Sequence, residues 1–173
     1  DFAEIRLVDD QGNEVNPGED GEFVFRGKAL FREYYKMPKE TDESFFPGGW
    51  HRTGDMGRKD EEGFYYILDR KKDMIISGGV NIYSKDIEEV IYTPPSVLEA
   101  AVIGIPDEKW GEVPKAFVVL KKNQFMSKEV LMKYCNDKLS KFQRLKHLEF
   151  VESLPRNPSG KVLKRELRNQ HHK

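Results

Sequence analysis

The sequence predicts an α+β chain in two parts, in which short strands are followed by a compact mixed α/β domain. In residues 1 to about 70, alternating apolar segments are separated by glycine turns, a pattern typical of part of a β-barrel or sandwich. From about residue 73 onward, strand patterns are mixed with helical patterns. The two compositions meet in a segment that is charged throughout, Asp69-Arg70-Lys71-Lys72-Asp73. Such a segment is typical of a solvated domain boundary.

The first part is predicted to be built from strands and one short helix. Alternation of apolar and polar residues predicts strands over residues 4–8, 22–26 and 64–68. Pro38 suits the first turn of a helix, so that residues 38–46 are predicted to form one short helix.

The second part is predicted to mix helices with longer strands. Ser84 can cap a helix that ends before Pro94, and Ile87 and Ile91 fall on one face of it. The elements predicted after this helix are strands over residues 98–105, 113–120 and 148–151, a helix capped by Ser127, and a last short helix marked by Val162, Leu163 and Leu167.

Composition excludes several classes of partner. Lys and Arg number 29 against 30 Asp and Glu, which leaves a net charge of −1 and no global field for nucleic acid or an anionic membrane. The single cysteine, Cys135, is expected to be buried and to suit a reducing, cytoplasmic compartment. No apolar run approaches the roughly 20 residues of a membrane span, so no transmembrane segment is expected. Because the chain begins at Asp1 and not at Met, we expect a fragment of a larger protein.

Two charged residues in the first part are candidates for nucleotide binding. Asp55 follows a glycine where the chain is predicted to pass from loop to strand, and its carboxylate could accept hydrogen bonds from ribose hydroxyls. The alternative is an Asx-type turn closing a hairpin. Arg70 suits a ribose or phosphate oxygen, and a surface salt bridge to Asp69 or Asp73 is the alternative. Taken alone, Lys72 is a solvated linker residue.

The pair Gly78-Gly79 lies between two apolar stretches. Paired glycines either make a tight turn or allow a ligand to lie against bare backbone. By themselves these two residues favour a hairpin turn.

A lysine near the end of the chain is the candidate catalytic residue. Lys161 follows Pro158 and Gly160 and is predicted to stand at the N-terminus of the last helix. A cation there opposes the helix dipole, so its placement indicates a bound anion. An ammonium brought to a phosphoryl or carboxylate oxygen can stabilise charge that develops in a transition state. The alternative is an ordinary surface lysine.

Taken together, four stretches resemble the C-terminal third of the acyl- and aryl-CoA synthetases, which belong to the superfamily of adenylate-forming enzymes. The similarity extends over essentially the whole chain and includes Gly21-Glu22-Phe23. Each motif is weak alone, but the set in this order is highly specific. The four stretches are Trp50-His51-Arg52-Thr53-Gly54-Asp55, Asp69-Arg70-Lys71-Lys72-Asp73-Met74-Ile75, Ser77-Gly78-Gly79-Val80-Asn81-Ile82-Tyr83, and the loop from Pro155 to Lys161.

The resemblance implies a two-step reaction and two domains. A carboxylic acid and Mg-ATP give an acyl-adenylate and pyrophosphate, and the thiol of CoA then displaces AMP. Residues 1–71 would be the end of the β-barrel subdomain of a large N-terminal domain, and residues 72–173 would be the small mobile C-terminal domain. The rest of the N-terminal domain, including the Mg²⁺ ligand and the acyl pocket, would lie outside this chain, so that no metal ligand is expected in it.

The resemblance also implies a role for each motif. Asp55 would bind the ribose hydroxyls, Arg70 would contact ribose or phosphate, and Lys161 would bridge carboxylate and phosphate oxygens during adenylation. Lys72 matches the hinge about which the C-terminal domain rotates between the two half-reactions. The residues that match the segment lining the pantetheine tunnel of CoA are Gly78, Gly79 and Val80. Arg144 lies in a Gln-Arg-Leu sequence where relatives often have Lys-x-Pro, which suggests Arg144 as a contact for CoA phosphates.

The resulting hypothesis is the C-terminal part of an ATP- and CoA-dependent ligase of medium- or long-chain fatty acids, inactive as an isolated fragment. The choice of a fatty acid depends only on the similarity of residues 69–83 to those subfamilies. Two alternatives remain open at this point: an adenylation domain that loads a carrier protein, and a non-catalytic interaction module.

Overall fold

A computed structural model describes residues 3–171, except for the side chain of His171. The chain divides into two compact units, Asp1–Lys72 and Asp73–Lys173. The predicted domain limits at residues 1 and 173 lie outside the described residues.

The first unit is built on a five-stranded antiparallel sheet. The strands follow the order β1-β2-β4-β3, and β5 also pairs with β4. Val8, Val24 and Trp50 form its buried cluster, against which Phe46 packs. The elements are β1 (Glu4–Val8), β2 (Asp20–Arg26), α1 (Pro38–Glu43), β3 (Phe45–Phe46), β4 (Trp50–Lys59) and β5 (Tyr65–Arg70).

The predicted helix over residues 38–46 is shorter than expected. It ends at Glu43, and Phe45–Phe46 pairs with β4 as a two-residue strand instead. Packing of Phe46 against the buried cluster accounts for the difference, because a helical continuation would remove its ring from that cluster. The strands predicted over residues 4–8 and 22–26 are confirmed.

The second unit has a five-stranded sheet with three helices. The order is β10-β9-β6-β7, and β8 pairs with β9; only the β10–β9 pair is parallel among the described strand pairs. The elements are β6 (Ile75–Ser77), β7 (Val80–Ile82), α2 (Ser84–Tyr92), β8 (Val97–Asp107), β9 (Gly111–Leu120), α3 (Lys128–Asn136), β10 (His147–Phe150) and α4 (Lys164–His171).

Both faces of this second sheet are covered. Alternate residues of a strand point to opposite faces, and β8 and β9 are apolar on both. Val102 and Val118 join one cluster with residues of α2 and α3, whereas Ile103 and Phe117 join a second cluster with Leu167 of α4. Cys135 of α3 is fully buried in the first cluster, which confirms the prediction for it.

The N-terminal caps of two helices were predicted from the sequence, and only the cap of α3 is correct. The hydroxyl Oγ of Ser127 accepts a hydrogen bond from the amide of Val130 at 3.3 Å and caps α3 as predicted. Ser84 does not cap α2, because it is the first residue of the helix and Tyr83 occupies the cap position. The buried Ser84 hydroxyl instead accepts a hydrogen bond from Nζ of Lys164 at 2.6 Å. No helix within residues 3–171 is both long and apolar enough to cross a membrane.

Candidate functional site

Asp55 and Arg70, the two predicted nucleotide-binding residues, pair directly across neighbouring strands. Their Cα atoms are partners in the β4–β5 register, and Arg70 Nε lies 3.0 Å from Asp55 Oδ1. The side chains of Asp55 and Arg70 remain 33% and 51% exposed, so both can still be reached by a ligand. The alternative for Arg70 was a salt bridge to Asp69 or Asp73, and Asp73 instead pairs with Arg168 at 2.9 Å.

Asp55 lies inside β4, so the predicted loop-to-strand position is wrong, and so is the hairpin-closing turn. The register between β2 and β4 shifts here, and Gly54 has a left-handed φ of +72°. An irregularity of this kind redirects side chains locally, and bulges are common beside binding sites. The hydroxyl of Thr53 holds the segment by donating to the carbonyl of Phe23 at 2.8 Å and accepting from the Asp55 amide at 3.0 Å.

Glu22 of β2 is a buried carboxylate at the centre of the first unit, with only 2% of it exposed. Its Oε2 lies 3.1 Å from Nη2 of Arg52 and 2.9 Å from Nζ of Lys71, and its Oε1 accepts a hydrogen bond from the Gly54 amide at 3.1 Å. Burial alone raises the pKa of the Glu22 carboxyl, but the hydrogen bonds from Lys71 and Arg52 outweigh burial and leave the pKa below its ordinary value. Glu22 therefore stays ionised.

Glu22 belongs to the Gly21-Glu22-Phe23 motif, from which no role could be predicted for it. A signal was present, since Glu22 and Val24 share one face of β2 and Val24 is buried. A glutamate at an inward position of an alternating strand indicates a partnered charge.

Lys72, the predicted hinge residue, lies in a single 3₁₀ turn, Lys71–Asp73. Its side chain is exposed, and among the described residues its ammonium has no ion-pair partner. The two neighbours differ, because Lys71 pairs with Glu22 and Asp73 accepts a hydrogen bond from Nη2 of Arg168 at 2.9 Å.

Gly78 and Gly79 form the two-residue turn between β6 and β7, which confirms the hairpin reading of the glycine pair. Both have positive φ values, +58° and +79°, as hairpin turns of this length require. Gly78 packs closely on Trp110: its amide donates to the Trp110 carbonyl at 2.8 Å, and a Cβ added to it would lie 2.9 Å from the indole. A Cβ on Gly79 would meet no atom within 4 Å, and the next residue, Val80, is 40% exposed.

A groove of about 200 Å³ adjoins this turn within the second unit. The rings of Trp110 and Phe142 meet edge to face in its wall, with their centroids 5.9 Å apart. The groove is also lined by three cations: Lys141, Arg144 and Lys146. Arg144 and its neighbouring lysines are exposed and suit a multiply charged anion.

Lys161 lies at the end of a small hydrogen-bonded loop. Arg156 and Val162 form an antiparallel bridge, and the loop between them is closed by bonds from the Asn157 amide to the Lys161 carbonyl at 3.0 Å and from the Lys161 amide to Asn157 Oδ1 at 2.8 Å. Gly160 has a left-handed φ of +84° in the turn. The Lys161 side chain is exposed, and within residues 3–171 no carboxylate lies close enough to form an ion pair with it.

The expectation that Lys161 stands at a helix N-terminus is wrong. Helix α4 begins at Lys164, because Val162 is held in the bridge with Arg156 and cannot enter the helix. The argument from the helix dipole therefore does not apply to Lys161. Its exposure, without an ion-pair partner in the described part of the chain, is the remaining structural reason to consider an anionic ligand.

Arg156 fixes this loop to the sheet, a contact that sequence analysis missed. Its Nη2 lies 2.8 Å from Oε1 of Glu99 in β8, and its Nη1 donates to the carbonyl of Gly160. On the other side of the loop, Nζ of Lys164 lies 2.7 Å from Oε1 of Glu88 in α2. The backbone that carries Lys161 is thus held by an ion pair before it, at Arg156, and by an ion pair after it, at Lys164.

Comparison with known proteins identifies the class. Residues 86–161 match the family described as the AMP-binding enzyme C-terminal domain. The match ends at Lys161, and its residues lie entirely in the second unit. The second unit therefore contains an AMP-binding enzyme C-terminal domain.

Several proteins that this chain resembles over nearly its whole length are CoA ligases. The chain is 46% identical over 170 residues to the long-chain-fatty-acid–CoA ligase FadD13 of Mycobacterium tuberculosis, covering 98% of this chain and 33% of that protein. It is also 46% identical over 166 residues to the 2-succinylbenzoate–CoA ligase of Bacillus mycoides, covering 96% of this chain and 34% of that protein. The crystal structure of ATP-bound MatB from Rhodopseudomonas palustris matches with a TM-score of 0.90 and 37% identity, over 99% of this chain and 34% of the other. The chain thus spans about a third of the length of these relatives.

Proposed function

We propose that this chain is the C-terminal part of an ATP-dependent acid–CoA ligase whose catalytic lysine is Lys161. The observation that carries the proposal is the exposed ammonium of Lys161, which has no ion-pair partner within residues 3–171 and lies at the end of a tethered loop in an AMP-binding C-terminal domain. A surface lysine with no function would not need a loop held by Arg156 on one side and Lys164 on the other.

In the proposed first half-reaction, a carboxylate oxygen of the acid attacks the α-phosphorus of ATP, and pyrophosphate leaves. Lys161 contacts the carboxylate and phosphate oxygens and stabilises the negative charge of the transition state. Asp55 accepts hydrogen bonds from the ribose hydroxyls, and Arg70, held beside it at 3.0 Å, orients that carboxylate and contacts ribose or phosphate.

In the proposed second half-reaction, the thiol sulfur of CoA attacks the acyl carbonyl, its proton is lost, and AMP leaves. Gly78, Gly79 and Val80 line the path of the pantetheine arm. The open side of Gly79 supports this role, because a chain can approach its backbone without meeting a side chain. The cations beside the turn, Arg144 among them, suit the CoA phosphates.

We further propose that residues 1–71 complete the β-barrel subdomain of a large N-terminal domain and that residues 72–173 are the mobile C-terminal domain. Lys72 is the hinge, so that one face of the C-terminal domain serves each half-reaction. Its exposed side chain and its place where the two compact units divide support this assignment. The partner of this chain is then the remainder of the same protein.

Magnesium would accompany ATP as its phosphate complex. Within residues 3–171 no group of three His, Cys, Asp or Glu side chains is placed to hold a metal ion. The carboxylate of Asp55 is paired with Arg70. On the family resemblance alone, we propose that the Mg²⁺ ligand lies in the part of the protein outside this sequence.

We propose a medium- or long-chain fatty acid as the substrate, on the similarity of residues 69–83 to fatty-acid ligases. A 2-succinylbenzoate substrate is the second candidate, because the ligase of that acid has the same identity to this chain as FadD13. Comparing turnover of palmitate, octanoate and 2-succinylbenzoate by the full-length protein separates the candidates.

The test of Lys161 uses the full-length protein and separates the half-reactions. We expect Lys161→Ala to reduce ATP–pyrophosphate exchange at least about a hundredfold, as removal of one charge-stabilising group typically does. Thioester formation from supplied acyl-adenylate and CoA should be retained. Lys122→Ala, which removes an exposed lysine elsewhere in the second unit, is the matched control. Equal loss in both half-reactions, or none in either, would contradict the assigned role.

The same experiment addresses the alternatives. An adenylation domain that loads a carrier protein would release AMP with a carrier thiol and not with CoA. A non-catalytic interaction module would show no difference between Lys161→Ala and Lys122→Ala in either half-reaction. The 173-residue chain alone is expected to make no acyl-CoA, and turnover by that chain would refute this expectation.

A further inference from the structure

Lys71, the residue before the proposed hinge, is bound firmly within the first unit. Its ammonium lies 2.9 Å from Oε2 of the buried Glu22 and 2.5 Å from Oδ1 of the exposed Asp10. Burial by itself lowers the pKa of the Lys71 ammonium, but the bonds to Asp10 and Glu22 outweigh it and raise the pKa above its ordinary value. Releasing Lys71 would leave the carboxylate of Glu22 buried with one partner fewer.

Asp73, the residue after the proposed hinge, is bound within the second unit. Its Oδ1 accepts a hydrogen bond from Nη2 of Arg168 at 2.9 Å, and the Asp73 and Arg168 side chains are 13% and 26% exposed. Arg168 is on α4, whose Leu167 is buried in the core of that unit. The segment that enters the second unit is thereby fixed to its core.

Between these two attachments lies one residue, Lys72. Charge-assisted hydrogen bonds to partly buried groups are among the stronger side-chain contacts, and breaking one exposes or strands a charge. The backbone on either side of Lys72 is therefore held by its own unit, whereas the Lys72 side chain is exposed and has no ion-pair partner in the described part of the chain.

We propose that Lys71 and Arg168 are positioning residues that confine rotation between the two units to the backbone of Lys72. In the first unit Glu22 binds Lys71, and in the second unit Arg168 binds Asp73. Glu22 also accepts a hydrogen bond from the amide of Gly54, the residue before Asp55. The same carboxylate therefore holds both Lys71, which precedes the hinge, and the segment of the proposed ribose-binding residue. This inference rests on the proposed function, in which the second unit rotates about Lys72 between the two half-reactions.

The chain offers a matched pair of substitutions at the first anchor. Lys71→Met removes the ammonium and keeps the length of the side chain, while Lys71→Arg preserves the charge. Asp10→Asn removes the exposed partner of the same ammonium and leaves Glu22 in place. Arg168→Gln breaks the second anchor independently, so that the test survives if Lys71→Met does not fold.

The first measurement is the distribution of distances between two spin labels in the full-length protein, at Glu62→Cys in the first unit and Lys122→Cys in the second. Both positions are exposed. Lys71→Met and Arg168→Gln should each broaden the distribution, because the flexible segment lengthens beyond one residue. Lys71→Arg should leave its width unchanged, and Asp10→Asn, which removes the exposed partner and keeps Glu22, should broaden it less than Lys71→Met does.

The second measurement is the rate of each half-reaction. Lys71→Met should lower kcat of both about tenfold, the factor that corresponds to one lost charge-assisted hydrogen bond, because each productive pose is populated less. The KM for ATP should stay within about twofold, since the Asp55–Arg70 pair is intact. Lys71→Arg should restore both rates.

An unchanged distance distribution in Lys71→Met and Arg168→Gln would overturn the inference, as would a failure of Lys71→Arg to restore it. A full-length protein that forms no acyl-CoA would refute the proposed function instead. The distance measurement needs no turnover and would still decide whether the anchors confine the hinge.

Discussion

Arg70 Nε lies 3.0 Å from Asp55 Oδ1, and the two residues face one another across adjacent strands. Each side chain restricts the other before any ligand arrives, so that less conformational entropy is lost when a ligand binds. An ion pair of this exposure contributes little to stability, which is consistent with the nucleotide-binding role that we propose for both residues.

We expect Asp55→Asn in the full-length protein to raise the KM for ATP about tenfold to a hundredfold, because a neutral amide accepts hydrogen bonds from ribose hydroxyls more weakly than a carboxylate. The matched control is Asp20→Asn. Asp20 lies on β2, and its carboxylate pairs with Arg58 of β4, the strand that also carries Asp55. Steady-state kinetics with varied ATP measure both. An equal effect of the two substitutions would argue against a specific role for Asp55.

The tether of the lysine loop should be needed for adenylation. Arg156→Gln breaks the contact to Glu99 and weakens the bond to the Gly160 carbonyl. We expect ATP–pyrophosphate exchange to fall about tenfold, because a small displacement of a charge-stabilising group is costly. Thioester formation from supplied acyl-adenylate should change by less than about twofold.

Arg165→Gln serves as the control for the tether, since Arg165 is an exposed arginine of α4. A loss of adenylation with Arg165→Gln as large as that with Arg156→Gln would mean that the effect is not local to the loop.

Glu22 should make the first unit sensitive to acid. Its pKa is depressed from the ordinary value of 4.5, so its contribution to stability is complete above about pH 4.5 and is lost as the pH falls through the lower pKa of the folded state. We expect Glu22→Gln to lower the free energy of unfolding at pH 7 by about 3 kcal/mol, because Arg52 and Lys71 lose a buried partner.

Urea denaturation followed by the fluorescence of Trp50, in a Trp110→Phe background, measures this effect. The stability difference between Glu22→Gln and the unaltered chain should shrink below pH 4.5. Glu61→Gln, at an exposed position, should show neither effect. A difference that is constant from pH 7 to pH 3 would contradict the assigned ionisation.

Cys135 should be chemically inert in the folded protein. Burial raises the pKa of its thiol to about 11, so that at pH 8 only about one thiol in a thousand is ionised, and the thiolate is the nucleophile. We expect no alkylation by iodoacetamide within an hour and rapid alkylation in denaturant. A cysteine introduced at Lys122 should react in the folded state, and reaction of Cys135 at a similar rate would refute its burial.

Secondary structure could be predicted from the sequence where one local pattern dominates. The alternation that marks β1 and β2 and the cap at Ser127 depend on residues close together in the chain. The predictions for Phe46 and Ser84 were wrong because distant groups decide them: Phe46 packs on a cluster that includes Val8 and Val24, and Ser84 binds Lys164.

In the candidate site too, the sequence indicated individual residues but not the contacts between distant ones. The sequence indicated Asp55, Arg70, Lys72, Gly78, Gly79, Val80 and Lys161 through motifs, and these roles stay predictions. It did not indicate that Asp55 faces Arg70 or that Arg156 is tied to Glu99. The placement of Lys161 at a helix start was wrong because the bridge between Arg156 and Val162 delays the helix to Lys164.

By itself the sequence determined the two-part α+β character, the balanced charge and the motifs that resemble those of adenylate-forming enzymes. Only the tertiary structure decided that Glu22 is buried, that Lys71 and Asp73 are anchored on either side of Lys72, and that the ammonium of Lys161 is unpaired among the described residues. The reason is physical: periodicity and turn chemistry act over a few neighbouring residues, whereas burial and ion pairing join residues as far apart as Asp73 and Arg168.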